Sequence, residues 1–202
     1  MTPQIQKLVI WGGFFFVILL ICFSGCGSYN NMVTKDENVS AQWHNVEVAY
    51  QRRMDLIPNL VNTVQGYANF EKSTIVAVTE ARASVGQVKI DPSHLDEASL
   101  KNFQQAQGNL GSALSRLLVV AEKYPELKAN TNFLDLQTQL EGTENRIAEQ
   151  RREFNLAAQD LNTYIRTFPR NIWAGLFGIQ KRAYFESDEA AAKAPTVKFD
   201  TK

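Results

Sequence analysis

Arg52-Arg53-Met54-Asp55 is the densest charged cluster beside an apolar seam in this chain. It interrupts Val39, Trp43, Val46, Tyr50, Arg53, Ile57, Leu60, Val64 and Tyr67, a series stepping by four and three. That is the period of a helix burying one stripe against other helices. Arg53, in mid-seam, admits two chemistries. It pairs with a carboxylate of a partner or ligand, or it belongs to an internal polar layer. In an antiparallel pair of similar lengths, the midpoint near Arg53 faces Gln150, with Glu149 and Glu153 beside it. A buried guanidinium needs such neighbours, and polar groups in a seam set register at a cost in stability. The candidate polar layer or binding cluster is therefore Arg52, Arg53, Asp55 and Gln150.

Catalytic chemistry finds little to work with. Glu141, Glu144, Arg146, Glu149, Arg151, Arg152 and Glu153 form a charged run, the usual pattern of a solvated helix face. Paired carboxylates there have no nucleophile or metal partner for acid–base work. His44 and His94 stand fifty positions apart, and both cysteines, Cys22 and Cys26, sit in or beside the N-terminal apolar run. No thiolate metal site, Gly-rich phosphate loop or Ser/His/Asp set can be assembled. The expectation is a non-enzymatic protein with no catalytic residue, cofactor or metal.

These residues need helices to hold them. The 202 residues suit one domain plus an anchor, and 21 basic against 21 acidic side chains leave no electrostatic case for nucleic acid. Leu8 to Phe23 carries no charge, and Ile5 to Gly25, with one Lys in its first turn, matches the length of about 20 residues that spans a bilayer core. Residues 1–28 are read as a membrane anchor with two alternatives. One is a single-pass transmembrane helix. In the other, Ser24-Gly25-Cys26 ends a lipoprotein signal, and Cys26 is the lipid attachment. Flanking charge is too sparse to say which side of the membrane the rest faces.

Residues 29–168 predict an all-α antiparallel bundle of four long helices after the anchor. The first runs Tyr29–Tyr67 with a kink near Pro58, the second Glu71 to about Val85, the third about Ser93 to Tyr124. The fourth repeats Phe133, Leu136, Leu140, Thr143, Ile147, Gln150, Phe154, Ala157, Leu161, Tyr164 and Phe168. At about 1.5 Å per residue the third and fourth are roughly 47 and 54 Å long, so an up-down-up-down path packs them. The fourth then heads back toward the membrane. Residues 169–185, with Trp173 and Phe177, lie near the membrane end or cap the bundle, and 186–202 form a flexible tail.

Several blocks resemble the LemA family of bacterial membrane proteins. They are Tyr29-Asn30-Asn31-Met32-Val33, Arg52-Arg53-Met54-Asp55-Leu56-Ile57-Pro58-Asn59-Leu60-Val61, Thr79-Glu80-Ala81-Arg82, Glu122 to Asn130, Leu140 to Ile147, Phe168-Pro169 and Phe177-Gly178. The resemblance implies an N-terminal membrane helix and an antiparallel bundle, and brings no settled biochemical activity. Where the family often has His-Glu, this chain has Phe70-Glu71. The functional expectation is a membrane-anchored interaction or scaffold protein, with the membrane, an unknown protein partner or copies of itself as partners and no nucleic acid. The alternatives are an envelope lipoprotein binding a small ligand or peptide, and an accessory subunit regulating a membrane enzyme.

Overall fold

The computed structural model describes residues 3–67, 71–92 and 95–186, excluding the side chains of 3–10, 17, 18, 21 and 22. His94 and the tail beyond Glu186 lie outside the described residues. Those described form helices and no strand: α1 (Pro3–Gln65), α2 (Lys72–Gln87), α3 (Glu97–Ala121), α4 (Pro125–Lys128), α5 (Thr131–Arg166) and α6 (Arg170–Phe177). The all-α class is as expected.

The elements differ in detail from the four-helix expectation. α1 is one helix of 63 residues with no break near residue 28. A shift in composition marked that boundary, and composition alone does not end a helix. Gly25 and Gly27 cost only about 1 kcal/mol each within it. α3 starts later than Ser93 because Asp96 is its cap, accepting from the Ser99 N–H at 2.7 Å. α5 is capped by Asn130, whose Oδ1 accepts from the Phe133 N–H at 3.1 Å. The same Asn130 amide donates to the Tyr67 hydroxyl at 2.9 Å. One side chain thus starts α5 and pins that start beside the end of α1.

Contacts between helices give the directions. Along α1, Lys35 meets Asp160, Trp43 meets Phe154 and Arg53 meets Glu144, so α5 runs antiparallel to α1. Phe103 touches Trp43 and Tyr50, and Gly111 lies against Arg53, so α3 runs with α1. α2 packs mainly on α3 and runs antiparallel to it, Glu71 just before α2 meeting Lys123 just past the end of α3.

Two apolar clusters result. Trp43, Phe103, Phe154, Leu161 and Phe185 centre the one nearer the start of α1. Ile57, Leu60, Val78, Leu110, Leu117 and Phe133 centre the other. Trp43 is fully enclosed, stacked on Phe185 at 6.0 Å between ring centres.

After α6 the chain turns at Gly178, whose φ of 69° is in the left-handed region that glycine enters freely. Residues 178–186 then run back along the bundle as a strap. Two α5 asparagines hold it. Asn162 accepts from the Arg182 N–H and donates to its carbonyl, both at 2.8 Å. Asn155 does the same at Phe185, at 2.8 and 3.0 Å. The Arg182 guanidinium closes a two-pronged pair on Asp36, each contact 2.8 Å, the stronger geometry for a charged hydrogen bond.

Among the described residues no helix is long and apolar enough to cross a membrane. The side chains described at the start of α1 nevertheless form a bare apolar surface. Trp11, Phe14, Phe15, Phe16, Leu19, Leu20 and Phe23 are all exposed.

Pro58 lies inside α1 without ending it. Proline has no N–H, so the carbonyl four residues earlier, on Met54, loses its helical donor. Arg82 of α2 supplies a replacement, its Nε donating to the Met54 carbonyl at 3.3 Å. We expect Arg82→Leu to cost about 1 kcal/mol in denaturant unfolding. In a Pro58→Ala background, where the helical N–H returns, the same change should cost little. Equal costs in both backgrounds would contradict this pairing.

Candidate functional site

A polar layer separates the two apolar clusters. Arg53 from α1, Gln107 from α3 and Thr143 from α5 are buried there, each at an interruption of its own helix's seam. The Arg53 Nη2 donates to Glu144 Oε1 at 2.9 Å, and the Arg53 side chain is 7% exposed against 50% for Glu144. Thr143 spends its hydroxyl on the Leu140 carbonyl of its own helix, at 2.7 Å.

The expected facing of Arg53 and Gln150 is not what the pairing of α1 with α5 produces. The partner is Glu144, six residues or about 9 Å along the axis from Gln150. Matching midpoints assumes that the helices share both ends. The register follows instead from Asn130 meeting Tyr67 and Trp43 meeting Phe154. Gln150 is half-buried. Glu149 and Glu153 turn to Arg152 on their own helix, and the Arg152 hydrogen bond holds the Glu149 carboxyl below its ordinary value. Arg52 is exposed. Asp55 is also exposed and accepts from Gln51 at 2.7 Å. Of the four candidates, only Arg53 lies in the layer.

A groove of about 590 Å³ opens on this layer between α3, α1 and α5. Arg53, Arg116 and Arg151 line it against a single carboxylate, Glu144, with Tyr50, Gln104, Gln107, Ser112 and Ser115. Small residues on α3 make the room. A Cβ on Gly111 would stand 3.2 Å from the Arg53 Nη2. Two atoms of the layer, Arg53 Nε and Gln107 Oε1, are buried without a hydrogen-bond partner. Burial raises the Tyr50 hydroxyl pKa above its usual value, although Arg151 and Arg53 pull the other way.

Sequence reading missed Glu144, Gln107, Arg116 and Arg151 as neighbours of Arg53. The available signal was that Gln107 and Thr143 break their seams as Arg53 does. The strap-holding asparagines were missed too, though Asn155 and Asn162 are seven apart and share one face of α5. Among the described residues no three His, Cys, Asp or Glu side chains gather to hold a metal. His44 is exposed beside Glu47 at 3.7 Å, and Cys26 is exposed and free.

This architecture defines a class: an antiparallel helical bundle whose first helix runs on into an unpaired apolar stretch. The chain belongs to the LemA family, whose model matches residues 42–199. It is 30% identical over 179 residues to magnetosome protein MamQ 2 of Paramagnetospirillum magneticum, covering 80% of this chain and 66% of the relative. MamQ of Magnetospirillum gryphiswaldense is 31% identical over the same shares. Protein LemA of Metamycoplasma hominis is 25% identical, covering 87% of this chain and 80% of its own. The chain thus spans just under two thirds of the magnetosome relatives it matches. Membership and these relatives support a membrane-associated helical protein, and their names carry no enzymatic activity.

The asymmetry of the Arg53–Glu144 pair makes a prediction. Glu144→Ala leaves a buried guanidinium unmatched and should cost about 1–3 kcal/mol in denaturant unfolding. Arg53→Leu leaves only a carboxylate that can turn to water, and should be near neutral. Equal losses for the two variants would count against a buried charge governing this layer.

Proposed function

We propose that this protein is a non-catalytic, membrane-tethered interaction scaffold. In this reading the uncharged run Leu8 to Phe23, part of whose side chains lie outside the described residues, spans the bilayer at the start of α1. The bundle beyond it presents its faces to a protein partner or to copies of itself. The observation that carries it is the continuity of α1. One helix bears the bare apolar surface from Trp11 to Phe23 and, further on, the buried seam from Val39 to Val64. Exposed apolar area of that extent is unfavourable in water and favourable in lipid. No stretch of loop separates the two parts, so membrane and bundle move as one rod.

The packing at Gly25 supports a retained span over lipid attachment at Cys26. A Cβ at Gly25 would come within 3.0 Å of the Trp173 ring. Cleavage before Cys26 would strip away the residue on which Trp173 rests. We expect the full chain to stay with membranes through alkaline carbonate washing, with an intact mass that includes residues before Cys26. Release into the wash, or a chain starting at an acylated Cys26, would overturn this reading.

One observation favours a second reading, in which the bundle takes a small anionic ligand between its helices. The groove sets three guanidinium groups against one carboxylate, and the Nε of the buried Arg53 has no hydrogen-bond partner. N-acetylglutamate and glycerol 3-phosphate serve as probes. At least one should raise the melting temperature of the chain, and Arg116→Ala should abolish the rise. No rise with either probe would dismiss this second reading.

A further inference from the structure

α6 packs on α1 and α5 by one side only. Ala174 is buried, Trp173 rests on Gly25, and Phe177 meets Tyr29 edge-on at 4.9 Å between ring centres. The opposite side is bare. On α6, Ile172 and Leu176 are 58 and 71% exposed, and Phe168, just ahead of the helix, is 80% exposed. One turn apart, Ile172 and Leu176 fall in one line along α6, where water is a poor neighbour.

The position of α6 says what covers this line. Its inner side chains touch α1 at Gly25 and Tyr29, two and six residues past Phe23, the last exposed residue of the apolar stretch. At about 1.5 Å per residue, α6 lies roughly 3–9 Å beyond that stretch. The headgroup layer outside the hydrocarbon core is about 5–8 Å thick on each side, so this distance puts α6 level with it. Polar neighbours fit as well. Arg166 is exposed, and Arg170 sits over the Tyr164 ring at 4.2 Å, both next to the apolar line. Basic side chains beside aromatic ones suit a headgroup region.

We propose that α6 is a second membrane contact, its exposed Ile172 and Leu176, with Phe168 just ahead of them, facing the headgroup region of the same bilayer that takes the start of α1. This rests on the tether reading above. Two contacts on one bilayer, a crossing helix and a helix clasped to its side, restrict how far the bundle can tilt. The strap from Gly178 to Glu186 then carries that placement back into the core, since Phe185 stacks on Trp43.

The test uses the full chain with Cys22→Ser and Cys26→Ser, reconstituted in phosphatidylcholine–phosphatidylglycerol vesicles. An environment-sensitive fluorophore is placed on Leu176→Cys or, as a reference far from the membrane, on Val119→Cys, both exposed positions. Nitroxide-bearing lipid should quench the label at 176 several-fold more than the label at 119. Equal quenching in a chain that floats with the vesicles would overturn the α6 contact and leave the tether standing. A blue-shifted label at 176 that ignores nitroxide lipid and tracks protein density would assign the face to a second copy and overturn it too. A chain that fails to float would remove the tether and this proposal with it.

Discussion

The antiparallel seam between α1 and α5 is the constraint on which the other contacts depend. Trp43, fully enclosed, touches Phe103, Phe154 and Phe185, so three other segments converge on one α1 side chain. Buried aromatic rings contribute about 1.5–3 kcal/mol each from area alone, with edge-to-face contacts adding to that. Once Trp43 sits opposite Phe154, Arg53 must sit opposite Glu144 and Lys35 opposite Asp160. Sliding α5 by one turn so that Ala148 took the place of Glu144 would bury Arg53 without a carboxylate. The polar layer thus penalises wrong registers more than it stabilises the right one.

The departures from helical regularity are answered from neighbouring elements. Pro58 frees the Met54 carbonyl, and Arg82 arrives from α2. The strap has no regular structure of its own, and α5 lends it two asparagine side chains as hydrogen-bonding partners. Buried backbone groups must be paired somewhere. The residues that do the pairing, Arg82, Asn155 and Asn162, are therefore as much part of the fold as the apolar seam.

Much of this was legible in the sequence. The three-four spacing placed Val39, Trp43, Val46, Tyr50, Ile57, Leu60 and Val64 inside, and all are buried. It also marked Arg53 as a polar intruder, without saying that Glu144 and Gln107 would stand beside it. Periodicity fixes which side of a helix faces inward and says nothing about sliding along the axis. The sliding is decided by end contacts such as Asn130 with Tyr67, where a cap and a hydroxyl meet across 63 residues. The strap was illegible for a different reason. Residues 178–186 have no period, and their placement depends on Asn155, Asn162 and Asp36, polar residues that look like ordinary surface until the partner segment is in place.

The functional account comes down to a mechanical property, that the membrane-facing and core-facing parts of α1 are one unbroken rod. Pulsed electron–electron spin resonance on the full chain tests it directly, with labels on Leu19→Cys and on Asp55→Cys, both exposed, and Cys22 and Cys26 replaced by Ser. The account predicts a narrow distance distribution near 54 Å, from about 1.5 Å for each of the intervening helical steps. A broad distribution centred well below that value would mean a hinge between membrane and bundle, and would contradict it.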